Sequence, residues 1–123
     1  LSAEWFADLI ARSLSDREQL LKLLSINYYE MEENSRLERL TEFKCAFGKT
    51  FDALLSILCL YFPNMTKEKE DDFLFAFFPF MFGIYPYTHV TEKQTLAMRG
   101  AGIDFKPKTV YDIVKNFILK TVK

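Results

Sequence analysis

The sequence predicts an all-α domain built as a bundle of about six helices, and three observations carry that reading. Hydrophobic residues fill 50% of the 123 positions while Gly and Pro supply four each, a helix-leaning composition able to bury one sizeable core. Helix-start signatures recur along the chain, and no segment of strict apolar–polar alternation competes with them. The stretch Phe73–Tyr87, FLFAFFPFMFGIYPY, holds eight aromatic residues and no charge, so that at helical spacing apolar groups point all round its axis.

Taken in order, Ser2 before Ala3 and Glu4 starts a first helix over about 3–13. The capping box, Ser or Thr with Glu or Gln three places on, satisfies two backbone donors reciprocally. It occurs at Ser15 with Glu18, opening a second helix at about 16–32, and at Ser35 with Glu38, opening a third at about 36–62. In that third helix Leu37, Leu40, Lys44, Phe47, Phe51, Leu54, Leu58 and Tyr61 keep a heptad seam with Lys44 the exception. Gly48 in its middle costs about 1 kcal/mol relative to Ala, which close approach of another backbone would explain. Thr66, followed by Glu68 and Glu70, caps the aromatic helix over about 67–85. Pro79 removes a donor and bends that helix, while Gly83, Pro86, Gly100, Gly102 and Pro107 mark turns. A further box, Thr91 with Gln94, opens a short helix at about 92–100, and Thr109 with Asp112 opens the last at about 110–122. There Val110, Ile113, Val114, Phe117, Ile118 and Val122 form one apolar stripe.

A helix apolar on every side needs cover from more than its own core. A bilayer is the weakest cover, because the aromatic-rich run Phe73–Tyr87 is about fifteen residues, short of the roughly twenty that span a membrane, and acidic residues from Glu68 to Asp72 crowd its entrance. A bound apolar ligand and a second copy of the chain remain, and the two are compatible. Pocket candidates are Phe43, Phe47, Phe51, Phe78, Met81 and Tyr85, with Tyr28 and Lys44 as polar members. Asn27 and Thr50 also sit where the pattern predicts apolar surroundings, and Tyr29 offers another hydroxyl. Candidates for meeting a partner are Phe75, Phe82, Val110, Ile113, Val114, Phe117 and Ile118.

Catalysis, metal and cofactor have little to build on. His89 is the only histidine and is expected as an exposed turn residue. Cys45 and Cys59, fourteen apart on one helix, are roughly 21 Å from each other, too far for a disulfide, and are expected as reduced, buried thiols. There is no nucleophile elbow, and Gly100-Ala101-Gly102 lacks the third glycine and preceding strand of a phosphate loop. The carboxylates cluster at helix starts and in the group Glu30, Glu32 and Glu33, as caps and a solvated face do. A net charge of −1 gives no basic footprint for gripping nucleic acid. We therefore expect neither an enzyme nor a metal or cofactor protein, but apolar recognition.

The run Leu20-Leu21-Lys22-Leu23-Leu24-Ser25, the element Glu33-Asn34-Ser35-Arg36-Leu37-Glu38 leading to Phe43-Lys44, a long helix ending in Phe62-Pro63, and an apolar helix closing with Gly83-Ile84-Tyr85-Pro86 together resemble the C-terminal domain of the TetR family of bacterial transcriptional regulators. The resemblance covers nearly all of the chain. It implies a domain that binds a small lipophilic effector between its helices and homodimerises through its last two long helices, as a four-helix bundle. It also implies a cytoplasmic regulator, repressor or activator, that touches DNA only through an N-terminal helix-turn-helix domain. Nothing before Trp5 could hold that domain, and the chain begins at Leu1, so we expect it to be a piece of a longer protein. The competing expectation is an all-helical protein–protein interaction module without a small-molecule ligand.

Overall fold

The structure is a computed structural model that describes residues 2–25, 33 and 36–122, and these residues form six helices with no strand among them. They are α1 (Ala3–Ser15), α2 (Glu18–Ser25), α3 (Leu37–Tyr61), α4 (Lys67–Thr88), α5 (Glu92–Gly100) and α6 (Val110–Val122).

The most extensive helix pair is α1 with α6. Phe6, Ala7, Ile10, Ala11 and Leu14 recur at helical spacing on α1, and Val110, Val114, Ile118 and Val122 do so on α6, and both stripes are buried. A polar link ties the same helices, the Tyr111 hydroxyl donating to the Asp8 carboxylate. Onto this pair α4 lays Phe73, Leu74, Phe77, Phe78, Met81 and Ile84. Phe6, fully buried, meets Phe62 edge-on at 5.4 Å and Phe73 at 6.0 Å, and Phe77 continues the cluster. Full burial of such a side chain stabilises by about 1.5–3 kcal/mol, so these rings dominate the core.

Against the other flank of α4 packs α2, with Leu21 fully buried. His89 closes α4 as its C-terminal cap, its ring stacked on Tyr85 at 4.1 Å and its Nε2 3.5 Å from Glu18 on α2. It is half-buried and not the exposed turn residue that the sequence suggests. The long α3 buries only Leu54 and Leu58, both near its C-terminal end, and there the Cys59 thiol donates to the Glu70 carboxylate of α4 at 2.9 Å.

Several helix boundaries differ from expectation. Ser15 lies inside α1, its hydroxyl donating to the Ala11 carbonyl, so no capping box forms with Glu18 and α2 begins two residues later than expected. Ser35 lies outside the described residues, as does the expected extension of α2 beyond Ser25; α3 starts after Arg36, whose side chain makes no cap bond. The remaining caps form as the sequence indicates. Ser2 accepts from the Trp5 amide, Thr66 from Lys69 and Thr109 from Asp112, and the Thr91–Gln94 box makes both of its bonds at 3.1 and 3.3 Å. Gly83 and Pro86, expected in a turn, lie within α4, which runs on to Thr88; the Thr88 hydroxyl bonds back to the carbonyls of Ile84 and Tyr85. Gly102, at φ 75°, does occupy a turn that favours glycine. Gly48 has no close neighbour: a Cβ there would meet nothing within 4 Å. Both cysteines are free, and both are exposed and not the buried thiols expected. No single described helix is long and apolar enough to cross a membrane.

Candidate functional site

Burial along α3 fades from its C-terminal end toward its middle. Leu54 and Leu58 are buried, whereas Phe51 and Phe47, one and two turns earlier, are half-buried. The space between α3 and α4 therefore stays open, and a groove of about 440 Å³ runs there. Phe47 and Phe51 form one wall; Leu74, Phe75, Phe78, Pro79 and Phe82 of α4 form the other. The heptad seam of α3 and the flank of α4 two to three residues round from its core face supply these walls. Phe51 stacks on Phe78 at 5.4 Å and tilts toward Phe75 at 6.3 Å, so the walls are mostly aromatic, with Leu74 and Pro79 the exceptions.

A smaller hollow of about 130 Å³ adjoins the groove on the side of α2. Leu20 and Leu24, one turn apart on α2, close it; Phe43, Ala46, Phe47 and Thr50 of α3 and Phe78, Met81 and Phe82 of α4 complete it. No described lining residue of either space is titratable. Among the described residues Thr50 supplies the one side-chain oxygen, and its hydroxyl donates to the Ala46 carbonyl at 3.1 Å. Such a surface recognises a molecule by apolar burial, at about 25 cal/mol per Å² removed from water.

The titratable groups with displaced pKa values lie elsewhere. The Tyr111 hydroxyl holds the Asp8 carboxyl below its ordinary 3.8, helped by the positive charges of Arg12 and Lys115. The Glu70 carboxylate that accepts from Cys59 pushes that thiol above its ordinary 9.0, which makes it a poorer nucleophile. Among the described residues no cluster of His, Cys, Asp or Glu could hold a metal ion.

Of the residues singled out for a pocket, Phe47, Phe51 and Phe78 line the groove, and Phe43 and Met81 line the hollow beside it. Lys44 is exposed, with its ammonium 5.7 Å from the Phe47 ring centre, and lines neither space. Tyr85 is drawn away by its stack on His89 and lines neither, while Tyr28, Tyr29 and Asn27 lie outside the described residues. Phe75 and Phe82, expected to face a partner, stand in the groove wall, Phe75 remaining 71% exposed. Val110, Val114 and Ile118 require correction: they are buried against α1 inside the protomer, so they have no surface to offer a second copy. Ile113 and Phe117 are half-buried on the flank of α6 next to α4, where Phe117 stacks flat on Phe80 at 4.0 Å. Leu20, Leu24, Ala46, Leu74 and Pro79 also line these spaces; Leu74 shares the helical stripe of Phe78 and Met81, the bend at Pro79 offers to open a cavity, and Leu20 and Leu24 recur at i, i+4.

Among the described residues the domain is all-helical, with an apolar groove and no titratable side chain along it. The chain belongs to the tetracyclin repressor-like, C-terminal domain family, whose model matches residues 1–107. The match ends just before α6. Nothing matches among curated proteins or among solved structures. Domains of this family typically dimerise, bind small effectors and are generally non-enzymatic.

Proposed function

We propose that this chain is the effector-binding and dimerisation domain of a TetR-like transcriptional regulator working in the cytoplasm, with a small lipophilic molecule occupying the groove between α3 and α4. The observation that carries this reading is the groove itself, about 440 Å³ of aromatic-walled space without a charge along it, within the size range of small-molecule sites. Phe43, Phe47, Phe51, Phe78 and Met81 contact the effector, together with Phe75 and Phe82.

A second copy pairs through the outer face of α4. There Ala76, Pro79, Gly83, Pro86 and Tyr87 are exposed, and Phe80, Ile113 and Phe117 flank them where α6 lies alongside. DNA is reached through an N-terminal domain outside this chain. Effector binding then shifts the population between two dimer geometries, by as much as the effector's affinity for them differs.

The test couples two measurements. Melting of the protein in the presence of a diverse set of lipophilic compounds should rise for a subset, and Phe51→Asp should abolish the rise while the circular dichroism spectrum stays helical. Sedimentation should give a dimer at micromolar concentration, weakened by Phe117→Asp. No melting shift with any compound defeats the effector half of the reading, and a monomer unaffected by Phe117→Asp defeats the dimer half.

A further inference from the structure

The groove and the smaller hollow are neighbours with a common wall. Phe47, Phe78 and Phe82 line both. The rings of Phe47 and Phe78 lie 4.8 Å apart, inclined at 51°, and both border both spaces. The two leaves are held differently. Phe78 is buried and locked between Phe51 and Phe77, at 5.4 and 6.4 Å. Phe47 is half-buried on α3 and touches, apart from Phe78, the ring of Phe43 at 6.5 Å and the Lys44 ammonium.

We propose that the two spaces are chambers of one site for an elongated, uncharged lipophilic molecule, and that Phe47 is the movable leaf that sets how long a molecule the site accepts. This rests on the effector reading above. The absence of charge from the occupant follows from the lining: an ionised head placed in either chamber would be desolvated among aromatic and aliphatic groups with no counter-ion among the described lining residues. The one directed polar atom, the Thr50 hydroxyl oxygen, already donates to Ala46 and keeps lone pairs, so the inner chamber can accept a hydrogen bond from an alcohol or amide terminus but has no spare donor for an anion. Length follows from the partition. With the Phe47 ring in place, a chain fills the outer chamber and stops; with the ring removed, the inner 130 Å³ joins it.

The experiment titrates the protein calorimetrically with primary n-alkanols of increasing length and with the carboxylates and alkylammonium ions of the same lengths. Alkanol affinity should rise about fourfold per methylene, the equivalent of burying one CH₂ group, and then level off at a definite length. Phe47→Ala should move that levelling-off several methylenes longer, even though short chains bind more weakly for want of the ring's contact. The charged series should bind at least tenfold more weakly at every length. Should Phe47→Ala fail to fold by circular dichroism, Phe47→Leu, which keeps apolar volume but removes the ring, carries the same measurement. Alkanols that bind and level off at the same length in both proteins overturn the partition and leave the effector reading standing. Charged ligands that bind as tightly as alkanols overturn the assignment of an uncharged occupant. Binding by no member of any series removes the effector reading and this inference with it.

Discussion

Gly48 and Gly83 form a matched pair for testing which face meets a second copy. Both lie inside helices, and a methyl added at either would meet no heavy atom of the protomer within 4 Å. In an isolated protomer each Gly→Ala change therefore gains the full helix-propensity difference, about 0.8–1.0 kcal/mol. For a domain of this size that is a rise in Tm of roughly 3–6 °C. The surroundings of the two differ only if a partner is present. Gly83 sits on the exposed outer face of α4, one turn from Pro79 and two from Ala76, where a facing helix would cross, whereas Gly48 lies on α3. Helices packed over small residues approach closely, so a methyl at position 83 would press against the partner. Gly48→Ala should raise Tm by the full increment at every protein concentration. Gly83→Ala should fall short of it and weaken the dimer about tenfold or more, about 1.4 kcal/mol, by sedimentation equilibrium from nanomolar to micromolar concentration. Equal melting gains for the two variants with an unchanged dimer dissociation constant would refute the placing of the partner on the outer face of α4.

Two further outcomes concern stability. Phe6→Ala removes a fully buried ring that touches Tyr61, Phe62 and Phe73, and should cost about 3–5 kcal/mol in urea unfolding; a loss below about 1 kcal/mol would contradict the packing of α1 described above. Tyr111→Phe removes the bond that holds the Asp8 carboxyl below 3.8 in the folded state. A depressed folded pKa contributes stability that is present above the unfolded value and disappears as pH falls through the folded one. The stability gap between the wild-type protein and Tyr111→Phe should therefore be level at about pH 5–7 and close as acid is added below about pH 4, and a gap that widened in acid would contradict the bond.

Much of the helical frame was legible because it is written locally. Thr91 with Gln94, Thr66, Thr109 and Ser2 cap the helices they were expected to cap, since a hydroxyl three residues from an amide needs no tertiary information to find it. Ser15 misled for the same local reason: its hydroxyl had a competing acceptor in the preceding turn, at the Ala11 carbonyl. The surplus apolar surface of α4 was legible too, from the lack of a polar side in Phe73–Tyr87. What the pattern could not orient was which neighbour takes which stripe. The Val110–Ile118 stripe of α6 suits a partner subunit or α1 equally well by periodicity, and α1 takes it. Phe75 and Phe82 are a like case: periodicity leaves them free to face a partner or α3, and both line the groove beside α3. Helical spacing says which residues share a face, and the direction of that face is a tertiary fact.

Among the described residues α3 is fully buried only at Leu54 and Leu58, near its C-terminal end, and distances along it can be taken from that footing. At 1.5 Å per residue, Phe47 stands roughly 10 Å from Leu54, and Leu37 roughly 26 Å from it. A sideways push of about 1 Å on Phe47, pivoting a straight α3 at that footing, sweeps its N-terminal tip through about 2.5 Å. The short arm of the lever thus ends at a ring in the groove, and the long arm carries the amplified stroke away from it.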